Sequence, residues 1–155
     1  VADNPDVQVR FKHYPISNEC NDNVGGPGHE RACAAAMATE CARQQGRFWP
    51  YSRLLFKNQG NLDPEGLRFM ADQVGLDLEA FAACTDSEAP LAVVKEDVRH
   101  AAQVGVHGTP ALFLKGVTGE DWVRVRGGAL EALVLIELHR SGEALPPTPP
   151  ATPEM

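Results

Sequence analysis

The four cysteines of this chain, Cys20, Cys33, Cys41 and Cys84, are the side chains best suited to chemistry. Successive cysteines lie 13, 8 and 43 positions apart, so the chain contains no Cys-x-x-Cys redox pair. An even number of cysteines in a small acidic chain predicts two structural disulfides and an oxidising compartment. A structural zinc site with three cysteine ligands and His29 in place of Cys84 is the minor alternative, although zinc ligands are usually more closely spaced.

Helix geometry limits how the cysteines can pair. Cys33 and Cys41 lie on one predicted helix, where their Cα atoms would be about 12 Å apart at 1.5 Å per residue. A disulfide needs Cα atoms roughly 4.4–6.8 Å apart, so these two cannot bond to each other. Two pairings remain. We favour Cys20–Cys33, which closes a glycine-rich loop, with Cys41–Cys84 joining two helices; Cys20–Cys41 with Cys33–Cys84 is the other.

A second candidate site is the turn His107-Gly108-Thr109-Pro110, which leads directly into the apolar run 111–114. Proline has no N–H and a fixed φ, so it cannot lie inside a strand ladder and forces an abrupt entry to the strand. Neighbouring backbone groups are thereby left free to bind another polypeptide. From these residues alone an ordinary trans proline is the favoured interpretation, and a cis bond at Thr109–Pro110 is the alternative.

Hydrophobic periodicity and capping residues predict the elements that position these residues. Four aromatic residues, Phe48, Trp49, Tyr51 and Phe56, are interpreted as core or helix-packing residues rather than as a ligand-binding site. A strand, a hairpin and covering helices together predict an α/β domain. The predicted order is a strand over 7–14, helices over 29–45, 50–58, 63–75, 77–84 and 87–105, a hairpin over 111–115 and 121–126, and a helix over 129–139.

Composition excludes several classes of function. The chain has 155 residues, is 43% hydrophobic and carries a formal net charge of −7. A nucleic-acid partner is not expected, because phosphate contacts need clustered lysine and arginine. No apolar run reaches the roughly 18 residues that a membrane span needs. We therefore expect a globular domain that does not bind nucleic acid, and we expect no cofactor or metal.

The order of motifs resembles the DsbA-like disulfide oxidoreductases, and especially the thioredoxin domains associated with bacterial vitamin K epoxide reductase homologues. The resemblance covers roughly residues 1–140. Each motif is short, and their order and spacing carry the resemblance. They are His13-Tyr14-Pro15-Ile16, Glu40-Cys41-Ala42, Gly46-Arg47-Phe48-Trp49, Gly75-Leu76-Asp77, Phe81-Ala82-Ala83-Cys84 and Gly105-Val106-His107-Gly108-Thr109-Pro110.

The resemblance implies a DsbA-type thioredoxin-like α/β fold. Residues 1–142 would form an incomplete thioredoxin-like domain with a helical insertion over about 28–106, and residues 143–155 a proline-rich flexible tail. The family's opening strand, its Cys-x-x-Cys pair and most of its first helix would be absent from these residues. A chain-swapped dimer is one way to supply the missing strand.

The resemblance also implies a function. Gly108, Thr109 and Pro110, with a cis bond, would form the substrate-binding loop of a thiol–disulfide oxidoreductase of the DsbA and protein-disulfide isomerase type. His107 would tune a nearby thiolate. No catalytic residue is expected in this chain, so the full-length protein would be the enzyme and this chain alone would be inactive.

The expected partners are protein thiols and disulfides, with a membrane redox partner of the vitamin K epoxide reductase type, in the bacterial periplasm or cell envelope. The alternative function is a redox-inactive peptide-binding module with a thioredoxin fold. The missing Cys-x-x-Cys is the feature that favours that alternative.

Overall fold

The computed structural model describes residues 8–26, 28–116 and 121–125. The chain divides into two compact units. One, here called the helical unit, is Phe11–Thr109; the other, here called the hairpin unit, combines Val1–Arg10 with Pro110–Met155. Within the described residues, no helix is both long and apolar enough to cross a membrane.

The helical unit contains the five helices that the sequence predicts, with small differences at their ends. Proline at position 50 is the third residue of its helix rather than the first. The N–H groups of the first helical turn have no intrahelical partner, so a proline there removes no helix hydrogen bond. The helices are α1 (Ala32–Gln44), α2 (Phe48–Lys57), α3 (Pro64–Gln73), α4 (Leu78–Thr85) and α5 (Ala89–Gln103).

The helix ends follow from local chemistry. Asp63 Oδ1 accepts a hydrogen bond from the N–H of Gly66 at 2.8 Å, and Pro64 occupies the first turn of α3. Asp77 Oδ1 caps α4 by accepting from two backbone N–H groups, both at 2.9 Å. Gly46, after α1, has a φ of +72°, a left-handed conformation that glycine adopts without steric strain. These predicted boundaries are confirmed.

Helix α1 lies at the centre of the helical unit and contacts all four other helices. One side of α1 contributes to the main core with residues from α2, α3 and α4, among them Tyr51, Met70 and Phe81. A smaller cluster joins α1 to α5 through Ala36 and Val94 and contains Cys20 and Cys33. The alanine-rich sequence of α1 allows neighbouring helices to approach it on several sides.

Two of the four aromatic residues interpreted as core or helix-packing residues are not buried. Tyr51 is fully buried and Phe48 is half-buried, whereas Trp49 is 45% exposed and Phe56 is 68% exposed. A helix at the protein surface buries only one of its faces. In α2 the buried face carries Tyr51, Ser52 and Leu55. Trp49 and Phe56 lie on the other face, so neither belongs to the core; Trp49 instead packs against the rings of Phe48 and Phe11.

The predicted strand over 7–14 is wrong for the residues that the structure describes, because residues 8–14 form neither strand nor helix. The alternating pattern indicates an extended, half-buried segment, but a strand also needs a neighbouring backbone to pair with. The N–H of His13 donates instead to the side chain of Asp97, at 2.9 Å from Oδ2.

The hairpin unit contains an antiparallel pair, β1 (Leu112–Leu114) and β2 (Val123–Val125), with Leu112 opposite Val125. This confirms the predicted hairpin and the mixed α/β class. The predicted helix over 129–139 and the tail over 143–155 lie outside the described residues. The predicted insertion over 28–106 falls within the helical unit.

The buried hydroxyl of Tyr51 provides a test of this packing at high pH. It donates to the carbonyl of Leu67 at 3.1 Å, and burial raises the pKa of the Tyr51 phenol well above its ordinary value. An acid whose pKa is raised by folding stabilises the fold fully below its unfolded pKa of about 10. That contribution is lost as pH rises above about 10 toward the folded pKa.

We expect Tyr51→Phe to lower the free energy of unfolding at pH 8 by about 1 kcal/mol. The same variant should lose less stability than the parent when urea unfolding is repeated near pH 10.5. Tyr14→Phe is the control, since the Tyr14 hydroxyl has no hydrogen-bond partner among the described residues. An equal alkaline loss in the Tyr51→Phe variant and the parent would contradict the prediction.

Candidate functional site

The loop from α5 to β1 is anchored at its start and exposed further on. Gly105 ends the helix with a φ of +71°, and the N–H of Val106 bonds back to the carbonyl of Ala101 at 2.9 Å. Val106 is buried. The side chain at position 106 therefore holds the entry to the loop against the helical unit.

The four residues that the sequence singles out follow directly. His107, Thr109 and Pro110 are exposed and Gly108 is half-buried. Within the part of the chain that the structure describes, neither the N–H nor the C=O of Thr109 forms a hydrogen bond. β1 begins two residues after Pro110. A backbone with free polar groups beside a strand start is able to pair with another extended segment.

The cysteines form the two disulfides of the favoured pairing. Cys20–Cys33 has a Cα–Cα distance of 6.0 Å, and Cys41–Cys84 one of 5.8 Å. The favoured pairing is confirmed, and the pairing of Cys20 with Cys41 is wrong. The zinc alternative is wrong too, since its cysteine sulfurs are engaged in disulfide bonds. None of the four cysteines therefore offers a free thiolate.

Internal contacts hold the loop before α1 in a conformation that places Cys20 next to Cys33. Asn21 is fully buried, and its Nδ2 donates to the carbonyl of Pro15 at 2.8 Å. Gly28 has a φ of +62°, and a Cβ atom there would stand 2.2 Å from the carbonyl oxygen of Ile16. Only glycine fits this conformation and this approach. The first disulfide thus closes a loop that is already hydrogen-bonded internally.

A cluster of polar side chains, which the sequence did not reveal, lies between α1 and α5, and its members His13, Glu40 and Asp97 are buried. His13 Nε2 and Glu40 Oε1 are 2.9 Å apart, and Arg43 Nε donates to Glu40 Oε2 at 2.6 Å. The side chains of His13 and Glu40 are only 6% and 5% exposed. Lys12 Nζ donates to Asp97 Oδ1 at 2.5 Å. The residue pair 12–13 is therefore held to both helices at once.

Aromatic rings cover this cluster on one side. The ring of Phe11 lies 5.1 Å from those of His13 and Phe48, and the Phe48 ring lies 4.9 Å from that of Trp49. Edge and tilted arrangements of this kind are favourable for aromatic pairs. The cluster holds no nucleophile, and its contacts tie residues 11–13 to the helices. The one local signal for it is a glutamate within the alanine-rich α1, three positions before Arg43.

Metal-ligating groups are not clustered. The described ranges contain no set of three or more His, Cys, Asp or Glu side chains placed to hold a metal ion. Of the two sites that the sequence predicts, the loop around Thr109 is exposed.

Comparison with known proteins identifies the family. The model of the DSBA-like thioredoxin domain matches residues 1–129. The chain is 36% identical over 118 residues to the Na(+)/H(+) antiporter NhaA of Herminiimonas arsenicoxydans, a match covering 75% of this chain and 18% of the relative. It is 31% identical over 116 residues to the Na(+)/H(+) antiporter NhaA 1 of Salinispora arenicola, covering 75% of this chain and 16% of the relative.

The chain spans less than a fifth of the length of these curated relatives. No solved structure matches it significantly. The family model covers most of the chain, including the cysteines, the loop before β1 and both strands. The protein therefore belongs to the family of DSBA-like thioredoxin domains.

Proposed function

We propose that this domain is the polypeptide-binding part of a thiol–disulfide oxidoreductase of the DsbA and protein-disulfide isomerase type. The observation that carries the proposal is the exposed Gly108-Thr109-Pro110 loop directly before β1, in a chain of this family. With a cis bond at Thr109–Pro110, the unpaired backbone of Thr109 would receive an extended segment of substrate. Main-chain hydrogen bonds of this kind bind polypeptides with little dependence on sequence.

The thiol chemistry would be supplied by a Cys-x-x-Cys pair outside these 155 residues, because both disulfides of this chain are internal. A thiolate of that pair attacks one sulfur of a substrate disulfide, and the substrate S–S bond breaks as a mixed disulfide forms. The second thiolate of the pair then displaces the substrate sulfur. The substrate is reduced and the pair is oxidised; the reverse sequence oxidises the substrate. The exposed His107 would stabilise the attacking thiolate.

Domains of this family act on protein thiols and disulfides and are typically extracytoplasmic. For this domain we propose the bacterial periplasm or cell envelope, with a membrane redox partner of the vitamin K epoxide reductase type. We also propose that the domain works as part of a membrane antiporter, which the matches to proteins named as Na(+)/H(+) antiporters support. A chain-swapped dimer stays part of the proposal as a way to complete the sheet.

The second candidate function is a redox-inactive module that binds polypeptides at the same loop. The observation that favours it is the pairing of all four cysteines in disulfides. The two candidates share the binding site and differ only in whether a redox pair acts beside it.

Substitution at the loop tests the shared binding site. We expect Pro110→Ala, which favours a trans bond, to weaken binding of an unfolded peptide by about tenfold or more. The probe is alkylated insulin B chain, titrated into isotope-labelled protein while the amide signals of residues 107–112 are followed by NMR. Pro64→Ala, at an exposed helix start, is the matched control and should bind normally.

An activity assay separates the two candidates. The protein encoded by the complete reading frame is assayed for insulin reduction and for free thiols. Reduction that Pro110→Ala impairs supports the oxidoreductase, whereas peptide binding at the loop without reduction supports the redox-inactive module. Absence of signal changes at residues 107–112 would contradict both.

A further inference from the structure

The stretch 43–57, which contains α2, concentrates positive charge in an acidic protein. The chain has 21 acidic and 14 basic residues, yet the stretch 43–57 contains Arg43, Arg47, Arg53 and Lys57 and no aspartate or glutamate. Arg43 is paired with Glu40. Within the described residues, the three other cations of the stretch form no ion pair. Their charge is therefore available to a partner.

The exposed face of α2 places an arginine between two aromatic side chains. Trp49, Arg53 and Phe56 are spaced i, i+4 and i+7, so they lie on one face of the helix. Trp49 is 45% exposed, Phe56 is 68% exposed and Arg53 is exposed as well. We call these three residues the α2 stripe. It runs along roughly 10 Å of helix at 1.5 Å per residue.

The stripe is held in place from behind. The opposite face of α2 is buried through Tyr51, Ser52 and Leu55. The Trp49 ring makes T-shaped contacts with the rings of Phe48 at 4.9 Å and Phe11 at 6.3 Å. A large side chain that is already ordered loses little entropy when a partner covers it.

We propose that the α2 stripe is a docking surface for an acidic segment of a partner protein that also carries apolar side chains. Tryptophan and arginine are the residue types that most often dominate binding energy at protein interfaces. Apolar side chains of the partner would cover Trp49 and Phe56, and its carboxylates would pair with Arg53. Arg47 and Lys57, exposed at the two ends of the helix, extend the charge complementarity.

A lipid surface is the competing occupant, since tryptophan with basic residues is also typical of membrane interfaces. The net charge of −7 favours a protein segment. Charges attract over about 8 Å, the Debye length at physiological ionic strength, and the stripe is hardly longer than that. An extended anionic membrane would also face acidic residues outside the stripe, which repel it. A single polypeptide segment is narrow enough to contact the stripe alone, and so avoids that repulsion. The proposal requires no thiol chemistry and is independent of the function proposed for the loop.

A designed acidic peptide tests the proposal. The probe is an amphipathic peptide of glutamate and leucine, compared with the same peptide carrying glutamine for glutamate and with vesicles of phosphatidylcholine and phosphatidylserine. The chain has two tryptophans, so Trp122→Phe leaves Trp49 as the single fluorescent reporter. We expect saturable binding of the acidic peptide, a blue shift of Trp49 emission and an affinity that falls with salt.

Matched variants locate the binding site. Arg53→Glu and Phe56→Ala should each weaken binding by about tenfold or more, while Phe69→Ala, 60% exposed on α3, should change it by less than about twofold. Circular dichroism checks that each variant is folded. Equal affinity for the glutamine peptide, insensitivity to Arg53→Glu, no binding, or binding to anionic vesicles but not to the peptide would each overturn the proposal.

Discussion

Removal of the Cys41–Cys84 disulfide is expected to lower the free energy of unfolding by about 4 kcal/mol in the chain-entropy description of cross-links. The bond closes a loop with a sequence separation of 43 and joins α1 to α4. Without it the unfolded chain gains the conformations that the loop closure forbids. Since small domains are stable by roughly 5–15 kcal/mol, the loss would be a large part of the total.

The measurement is urea unfolding of a Cys41→Ala, Cys84→Ser double variant, followed by circular dichroism. Alanine suits position 41 because that side chain is 1% exposed, and serine is tolerated at the half-buried position 84. Cys20→Ala with Cys33→Ala is the matched control, for which the separation of 13 predicts a smaller loss of about 3 kcal/mol. A reversed order of the two losses, or a loss below about 1 kcal/mol for the larger loop, would contradict this account.

Truncation of Glu40 is expected to lower the free energy of unfolding by about 1.5–3 kcal/mol, the range for hydrogen bonds to a charged group. The Glu40 side chain is 5% exposed and receives contacts from His13 and Arg43, so Glu40→Ala leaves a buried imidazole and a guanidinium without their carboxylate. A buried polar group that loses its partner keeps the desolvation penalty and loses the hydrogen bond.

Two variants separate the buried contact from the exposed one, again by urea unfolding. Arg43 is 54% exposed, so Arg43→Ala should cost no more than about 1 kcal/mol. Glu40→Leu combined with His13→Leu removes both partners of the buried contact and should be less destabilised than Glu40→Ala, because apolar replacement leaves no unpaired buried polar group. A loss for Glu40→Ala as small as that for Arg43→Ala would show that the cluster does not hold residues 11–13.

The helix ends and the exclusion of a Cys33–Cys41 bond could be predicted because their causes are local. Asp63 and Asp77 cap helices through N–H groups two or three residues away, and Gly46 adopts a left-handed φ whatever surrounds it. The separation of Cys33 from Cys41 along one helix excludes their pairing before any tertiary contact is known. The turn at Thr109 could be predicted for a similar reason, because proline restricts its own φ and the backbone of the residue before it.

The strand predicted over 7–14 does not form in the described residues, and Trp49 and Phe56 lie outside the core, for a shared reason. An alternating or helical pattern indicates which side chains suit burial, but it does not specify what lies opposite. The N–H of His13 is bound by Asp97, which is 84 positions away. Trp49 and Phe56 stay exposed because the remaining helices pack on the other face of α2.

The sequence by itself determined the α/β class, the helices with their caps, the two possible disulfide pairings, and the family to which the motifs point. Only the tertiary structure decided that Cys20 bonds Cys33, that Glu40 is buried between His13 and Arg43, and that α2 turns an aromatic and basic face outward. Short-range hydrogen bonds and backbone sterics depend only on residues that are close together in the sequence. Burial and ion pairing depend on which distant elements meet, and that is settled when the helices pack around α1.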